Sequence, residues 1–80
     1  MDEIKSVLRE VLLELHPDVD PDTETALADK KIIDSFDIVT IIARIDEEFD
    51  VAVTADKIIP ANFNSIDALA ALVSSLMDED

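Results

Sequence analysis

Apolar residues recur at helical spacing in three separate segments of the chain. In the first segment they lie three or four positions apart, at Ile4, Val7, Leu8, Val11, Leu12 and Leu15. This period of about 3.6 residues predicts an amphipathic helix. Pro17 ends it, because the residue before a proline is driven out of the helical region.

A second helix is predicted from Ser35 or Phe36 to about Phe49. At about 100° per residue, one stripe of this helix is apolar and faces the core. The stripe consists of Ile38, Ile41, Ile42, Ile45 and Phe49. Phe36 falls on the opposite face with Val39 at its edge, so both are expected near solvent. We expect Ser35 to be the N-cap residue of this helix.

A third long helix is predicted after Ser65, which is a good N-cap residue. Its apolar stripe consists of Ile66, Leu69, Ala70, Val73, Leu76 and Met77. A short helical turn is predicted before it, over residues 56–59, with Thr54 as its cap and Pro60 as its end. Phe63, between the turn and the last helix, is expected to be buried.

Residues 16–34 form a long connection, because Pro17 and Pro21 exclude a helix interior. Four apolar side chains are expected to fix it to the core, namely Val19, Leu27, Ile32 and Ile33. The helical stripes can be buried only against one another. This predicts an all-α fold, a small four-helix bundle with three main helices, one short helix and a long first loop, in a single domain over residues 1–80.

Composition narrows the possible functions. The 80 residues include 20 acidic and 6 basic ones, and the net charge of −14 disfavours nucleic acid and anionic membrane surfaces as partners. The chain has no Cys, which excludes disulfides and thiolate sites, and no Gly, which excludes glycine-rich phosphate loops. No apolar run approaches the roughly 18 residues of a membrane span. Without a basic, apolar leader, the expected location is the cytoplasm.

Ser35 stands at a predicted helix start, between Asp34 and Phe36. A capping role is the simplest interpretation, and a hydrolytic nucleophile is disfavoured because it needs an adjacent base. The only histidine, His16, is expected to face solvent without a role. The amides of a helix start also suit a phosphodiester, although Asp34 and Asp37 would repel one, so the pattern alone leaves the role of Ser35 open.

The acidic stretch 18–24 alternates carboxylates as a calcium loop does. However, Thr23 stands where that loop needs Gly, and Asp29 stands where it needs Glu. A solvated acidic loop is therefore favoured, and no metal site is expected. An acidic helical adaptor, or a calcium-responsive binding module without a covalent cofactor, remains the alternative function.

The chain resembles the acyl carrier proteins, in the broad sense that includes peptidyl and D-alanyl carriers. Asp34-Ser35-Phe36 is similar to the Asp-Ser-Leu motif of that family at the start of its second helix. The ending Glu47-Glu48-Phe49-Asp50 is similar to the family's ending of that helix, and residues 62–66 resemble the approach to its last helix. The likeness covers nearly the whole chain.

The resemblance implies a non-enzymatic carrier with covalent 4′-phosphopantetheine on Ser35. Asp34 and Phe36 match the flanking positions read by a phosphopantetheinyl transferase. The thiol of the cofactor would carry an acyl or aminoacyl group as a thioester, against pocket walls expected from Ile38, Ile42, Phe63 and Leu69.

The second helix is also expected to dock partner enzymes. An exposed apolar strip beside acidic residues suits acyl- or aminoacyl-handling enzymes with basic surfaces. The expected docking residues are Phe36, Val39, Thr40, Ala43 and Glu47. Phe36 replaces the Leu, and Thr40 the frequent Glu, of fatty-acid carriers, which indicates a specialised lipid, polyketide or aminoacyl pathway. Acyl and aminoacyl cargo both remain open, and we expect a monomer.

Overall fold

The computed structural model describes residues 2–78 and contains helices but no strand in that range. Met1, Glu79 and Asp80, which belong to the predicted domain, lie outside the described residues. The helices are α1 (Asp2–Leu15), α2 (Ser35–Phe49), α3 (Pro60–Phe63) and α4 (Ile66–Met77), with a 3₁₀ turn at Ala55–Lys57. The predicted all-α, four-helix architecture is confirmed. Between residues 2 and 78, no helix has both the length and the apolar character to cross a membrane.

The core lies where α1 and α4 pack together, with α2 against α1 and α3 against α4. Every one of these helices contributes to it. The least exposed of the large side chains are Leu8, Val11, Leu12, Leu27, Ile41, Ile45, Phe63, Leu69 and Val73. Full burial of each such side chain contributes about 1.5–3 kcal/mol, which makes helix packing the main source of stability.

The predicted stripes largely match the buried faces. On α2, Ile41 and Ile45 are buried, and the other stripe residues pack against the core in part. On α4 the prediction was wrong at two positions, because Met77 is 46% exposed whereas Leu72 is only 6% exposed. The reason is that α4 contacts each of the other three helices, so its buried face is wider than one stripe.

Pro60 begins a helix instead of ending one, which corrects the predicted turn over residues 56–59. The 3₁₀ turn covers Ala55–Lys57, and Pro60 is the first residue of α3. Proline is well placed there because its missing N–H would have no helical partner in any case. Thr54 precedes the 3₁₀ turn but makes no capping bond, since its hydroxyl donates to the Asp56 carboxylate instead.

The long first connection is held against the core by Asn64, which follows α3. The backbone carbonyl of Asn64 accepts from the Leu27 amide at 2.9 Å. Its side-chain Oδ1 accepts from the amides of Ala28 and Asp29, each at 3.0 Å. Leu27 and Ile33 are buried, as predicted, while Val19 and Ile32 pack against the core in part. The loop therefore has a fixed shape where it approaches α2.

Phe63→Ala and Phe36→Ala make the same substitution at a buried and an exposed site. Phe63 is 0% exposed and Phe36 is 85% exposed. We expect Phe63→Ala to lower the free energy of unfolding by about 3–5 kcal/mol, because it leaves a core cavity. Phe36→Ala should change it by no more than about 0.5 kcal/mol. Urea unfolding measures both, and equal losses would contradict these placements.

Candidate functional site

The start of α2 is capped by two aspartates, and the carboxylate of each accepts a hydrogen bond from the backbone amide of the other. Asp34 has an extended backbone, and its Oδ1 accepts from the Asp37 amide at 3.0 Å. Oδ2 of Asp37 accepts in return from the Asp34 amide at 3.2 Å. This capping box shows that the prediction of Ser35 as N-cap was wrong. Asp34 caps the helix one residue earlier, because Asp37 is then correctly placed to complete the reciprocal bond.

Ser35 is consequently the first residue of α2, and its side chain has no structural task. The residue is exposed, and its hydroxyl makes no hydrogen bond to any other residue between 2 and 78. The amides of Ser35 and Phe36 are likewise unpaired within that range, as expected in the first turn of a helix. With no base bonded to its hydroxyl, Ser35 is not activated as a catalytic nucleophile. Its hydroxyl is accessible from solvent.

His16 joins the end of α1 to this site, which corrects the expectation that it faces solvent. Its Nε2 lies 2.7 Å from Oδ2 of Asp37, and the two side chains are only 28% and 17% exposed. Its backbone amide donates to the Leu12 carbonyl at the end of α1. The contact spans 21 positions of the chain, so no local pattern could have indicated it.

A largely apolar cavity of about 320 Å³ opens beside Ser35. Its apolar walls are formed by Ala28, Ile33, Ile38, Ile58, Ile59, Pro60 and Phe63. The predicted walls Ile38 and Phe63 are confirmed, whereas Ile42 and Leu69 do not line it. Leu69 is only 1% exposed and belongs to the core. The missed residues Ile58 and Ile59 follow the 3₁₀ turn, which places them over the cavity.

The outer face of α2 carries the predicted exposed apolar strip. Phe36 is 85% exposed and Val39 is 65% exposed. Thr40, Ala43 and Glu47 are also exposed, and the hydroxyl of Thr40 donates to the Phe36 carbonyl at 2.9 Å. The exposure of all five residues is confirmed, and their role in docking stays a prediction.

Arg44 bonds to α1 and also attracts Glu47 and Glu48 more weakly. Its Nη1 donates to Oε2 of Glu14 at 2.7 Å. That hydrogen bond, together with the charge of Glu14, raises the pKa of Arg44 above its ordinary value. Glu47 and Glu48 on the next turn are exposed. The second half of α2 therefore presents a negative surface.

The acidic stretch 18–24 uses its carboxylates to shape the loop. Oδ1 of Asp22 accepts from Nε and Nη2 of Arg9 at 3.0 and 2.7 Å. Hydrogen bonds from the backbone, that of the Ala26 amide foremost, lower the pKa of Glu24. Over residues 2–78, no three His, Asp or Glu side chains converge in a way that could hold a metal ion. The alternating carboxylates of the sequence are thus not gathered into one site.

Comparison with models of protein families matches residues 2–73 to the family described as phosphopantetheine attachment site. The matched range includes α1, α2, α3 and most of α4. A search of curated proteins found no match. A search of solved structures also found none.

Removal of the His16 side chain tests the link between α1 and the start of α2. We expect His16→Ala to lower the free energy of unfolding by about 1–2 kcal/mol, because it removes a part-buried hydrogen bond to a carboxylate. In an Asp37→Ala background the same change should cost clearly less, since its partner is gone. Urea unfolding of the four proteins gives the coupling energy. Equal losses in both backgrounds would show that the contact contributes nothing.

Proposed function

The chain belongs to the family of phosphopantetheine attachment domains, and from that premise we propose that Ser35 is the residue that carries the cofactor. The cofactor of this family is covalently bound 4′-phosphopantetheine, and the protein is a non-catalytic carrier. When attached, the cofactor supplies a thiol that holds an acyl or aminoacyl group as a thioester. A working thiol supplied in this way is compatible with a chain that has no Cys.

The observation that carries this proposal is the free, exposed hydroxyl of Ser35 beside an apolar cavity. Other serines lack this combination. Ser65 uses its hydroxyl to accept from the Ala68 amide as the cap of α4. Ser6 and Ser75 are exposed but lie within helices and line none of the cavities beside α2. The hydroxyl of Ser35 is therefore accessible to a modifying enzyme, and the adjacent cavity could enclose the group that is attached.

The surroundings of Ser35 also suit the phosphodiester of the cofactor. The unpaired amides of Ser35 and Phe36 lie at the positive end of a 15-residue helix. Asp34 and Asp37 oppose an added negative charge, but each carboxylate already accepts a hydrogen bond from the other's backbone. His16 lies beside Asp37 as well. The capping box thus holds both carboxylates in place without using the free amides.

The proposed cargo is an acyl or aminoacyl group of a specialised lipid, polyketide or aminoacyl pathway. Phe36 and Thr40, which stand where carriers of fatty-acid synthesis usually have Leu and often Glu, support a specialised pathway. The apolar walls of the cavity suit the aliphatic part of either cargo. The acidic, cysteine-free composition is compatible with a single-domain monomer in the cytoplasm.

Carrier domains interact with modifying and acyl-handling enzymes. We propose that this chain meets its phosphopantetheinyl transferase and its acyl- or aminoacyl-transferring enzymes through the outer face of α2. The proposed surface consists of Phe36, Val39, Thr40, Ala43 and Glu47, all exposed. A small apolar centre next to anionic side chains fits partners with a basic rim, which long-range attraction would steer.

Mass spectrometry of the intact protein tests Ser35 directly. Incubated with a promiscuous phosphopantetheinyl transferase and coenzyme A, the wild type should gain the mass of one phosphopantetheinyl group. Ser35→Ala should gain none, whereas Ser6→Ala, the same change at an exposed serine of α1, should react as the wild type does. A gain that survives Ser35→Ala, or no gain in the wild type, would overturn the proposal.

Phe36→Glu tests the docking surface. Loss of an exposed apolar anchor should slow loading by the transferase about tenfold or more, as for a residue that contributes about 1.4 kcal/mol or more to an interface. Phe36→Leu keeps an apolar side chain and should load nearly as fast as the wild type. Because Phe36 is 85% exposed, circular dichroism should show both variants folded. An unchanged loading rate for Phe36→Glu would exclude Phe36 from the surface.

A further inference from the structure

Lys31 lines the cavity that opens beside Ser35, and it lies in a hydrogen-bonded turn of the chain over residues 27–33. Its backbone has φ of 58°, a left-handed conformation that disfavours residues with a Cβ atom. The turn is closed by the Lys31 amide, which donates to the Ala28 carbonyl, and by the amides of Ile32 and Ile33, which both donate to the Leu27 carbonyl. These bonds fix Lys31 as one of the residues that line the cavity together with Ser35.

Lys31 forms no ion pair within residues 2–78. Four other basic residues form ion pairs, which are Lys5–Asp67, Arg9–Asp22, Lys30–Glu24 and Arg44–Glu14. Within residues 2–78, Lys31 and Lys57 take part in no such pair, and of these two only Lys31 lines the cavity. In a protein of net charge −14, a lysine that has no carboxylate partner and lines the same cavity as Ser35 is available to another anion.

Asp34 does not form an ion pair with Lys31, although it lines the same cavity. Its Oδ1 accepts from the Asp37 amide, which commits this carboxylate to the helix start. Asp34 and Asp37 place two negative charges next to Ser35. A phosphodiester on Ser35 would add a third, and among the residues that line the cavity Lys31 is the one that carries a positive charge.

We propose, on the premise that Ser35 carries the cofactor, that the ammonium group of Lys31 is the counter-ion of the phosphodiester attached there. Lys31 is a positioning residue in this role. It makes no covalent bond, and its attraction offsets the repulsion from the two aspartates. The charge-assisted contact also favours an arrangement in which the attached group lies towards the cavity rather than away from it.

The test compares the melting temperatures of apo and fully loaded protein, with loading confirmed by intact mass. The variants are Lys31→Asn, Lys31→Arg and the matched control Lys30→Asn. Asparagine tolerates the left-handed conformation, so Lys31→Asn changes mainly the charge. Lys30→Asn makes the same change one residue earlier, where the ammonium group faces Glu24. The difference between the loaded and apo forms of one variant cancels any effect of the substitution itself on stability.

We expect the loaded-minus-apo difference to be alike in wild type, Lys31→Arg and Lys30→Asn. In Lys31→Asn it should be lower by about 2–5 °C, the size expected of one exposed ion pair in a domain of this length. The deficit should shrink as salt approaches about 1 M, because the pair is then screened. The loaded protein bears no acyl group, so the phosphodiester is the added anion that Lys31 can meet.

Two results would overturn the inference while Ser35 stands as the attachment residue. One is full loading of Lys31→Asn with a loaded-minus-apo difference equal to that of the wild type. The other is an equal deficit in Lys31→Asn and Lys30→Asn, which would indicate a general effect of net charge. An absence of mass gain in the wild type is a different result, since it overturns the carrier proposal at Ser35 itself.

Discussion

The reciprocal hydrogen bonds between Asp34 and Asp37 determine where α2 begins, and the arrangement around Ser35 depends on that position. Both backbone–carboxylate contacts are within hydrogen-bond distance, at 3.0 and 3.2 Å. They place Ser35 at the first helical residue, where a side chain points outward and the amide has no helical partner. Had Ser35 been the cap, its hydroxyl would have been occupied by the helix. The aspartate pair caps the helix, and this leaves the hydroxyl of Ser35, the residue that is proposed to carry the cofactor, without a structural hydrogen bond.

One distant residue contacts the capping box, and another contacts the loop that precedes it. His16 contacts Asp37 from the end of α1. Asn64 holds residues 27–29 of the long connection with backbone and side-chain hydrogen bonds. Both contacts act on the segments that lead into α2. The helix start, the turn around Lys31 and the cavity are therefore parts of one assembled structure, although α1 and α3 are far apart in sequence.

The net negative charge is not spread evenly over the protein surface. Four of the six Lys and Arg side chains pair with carboxylates, three of them on another segment, as Arg44 does with Glu14 between α2 and α1. Exposed pairs of this kind contribute little stability each, because water and salt screen them. Their larger consequence is to link the segments, while Glu47 stays exposed on the outer face of α2. That face is consistent with a carrier that must be found by several enzymes in turn, since long-range attraction speeds encounter more than it strengthens binding.

The sequence by itself determined the three long helices and most of their buried faces, because helical periodicity is a local property, and its motifs carried the resemblance to the family. A period of 3.6 residues specifies which side of α2 meets the core, and so predicted that Ile41 and Ile45 are buried while Phe36 is exposed. The tertiary structure alone decided what lies around Ser35. Asp34 and Ser35 are both good caps, and backbone geometry selected Asp34. The contact of His16 with Asp37 and the placement of Ile58 and Ile59 over the cavity join residues over 20 positions apart. Contacts at such separations arise only when the helices pack, so no local pattern encodes them.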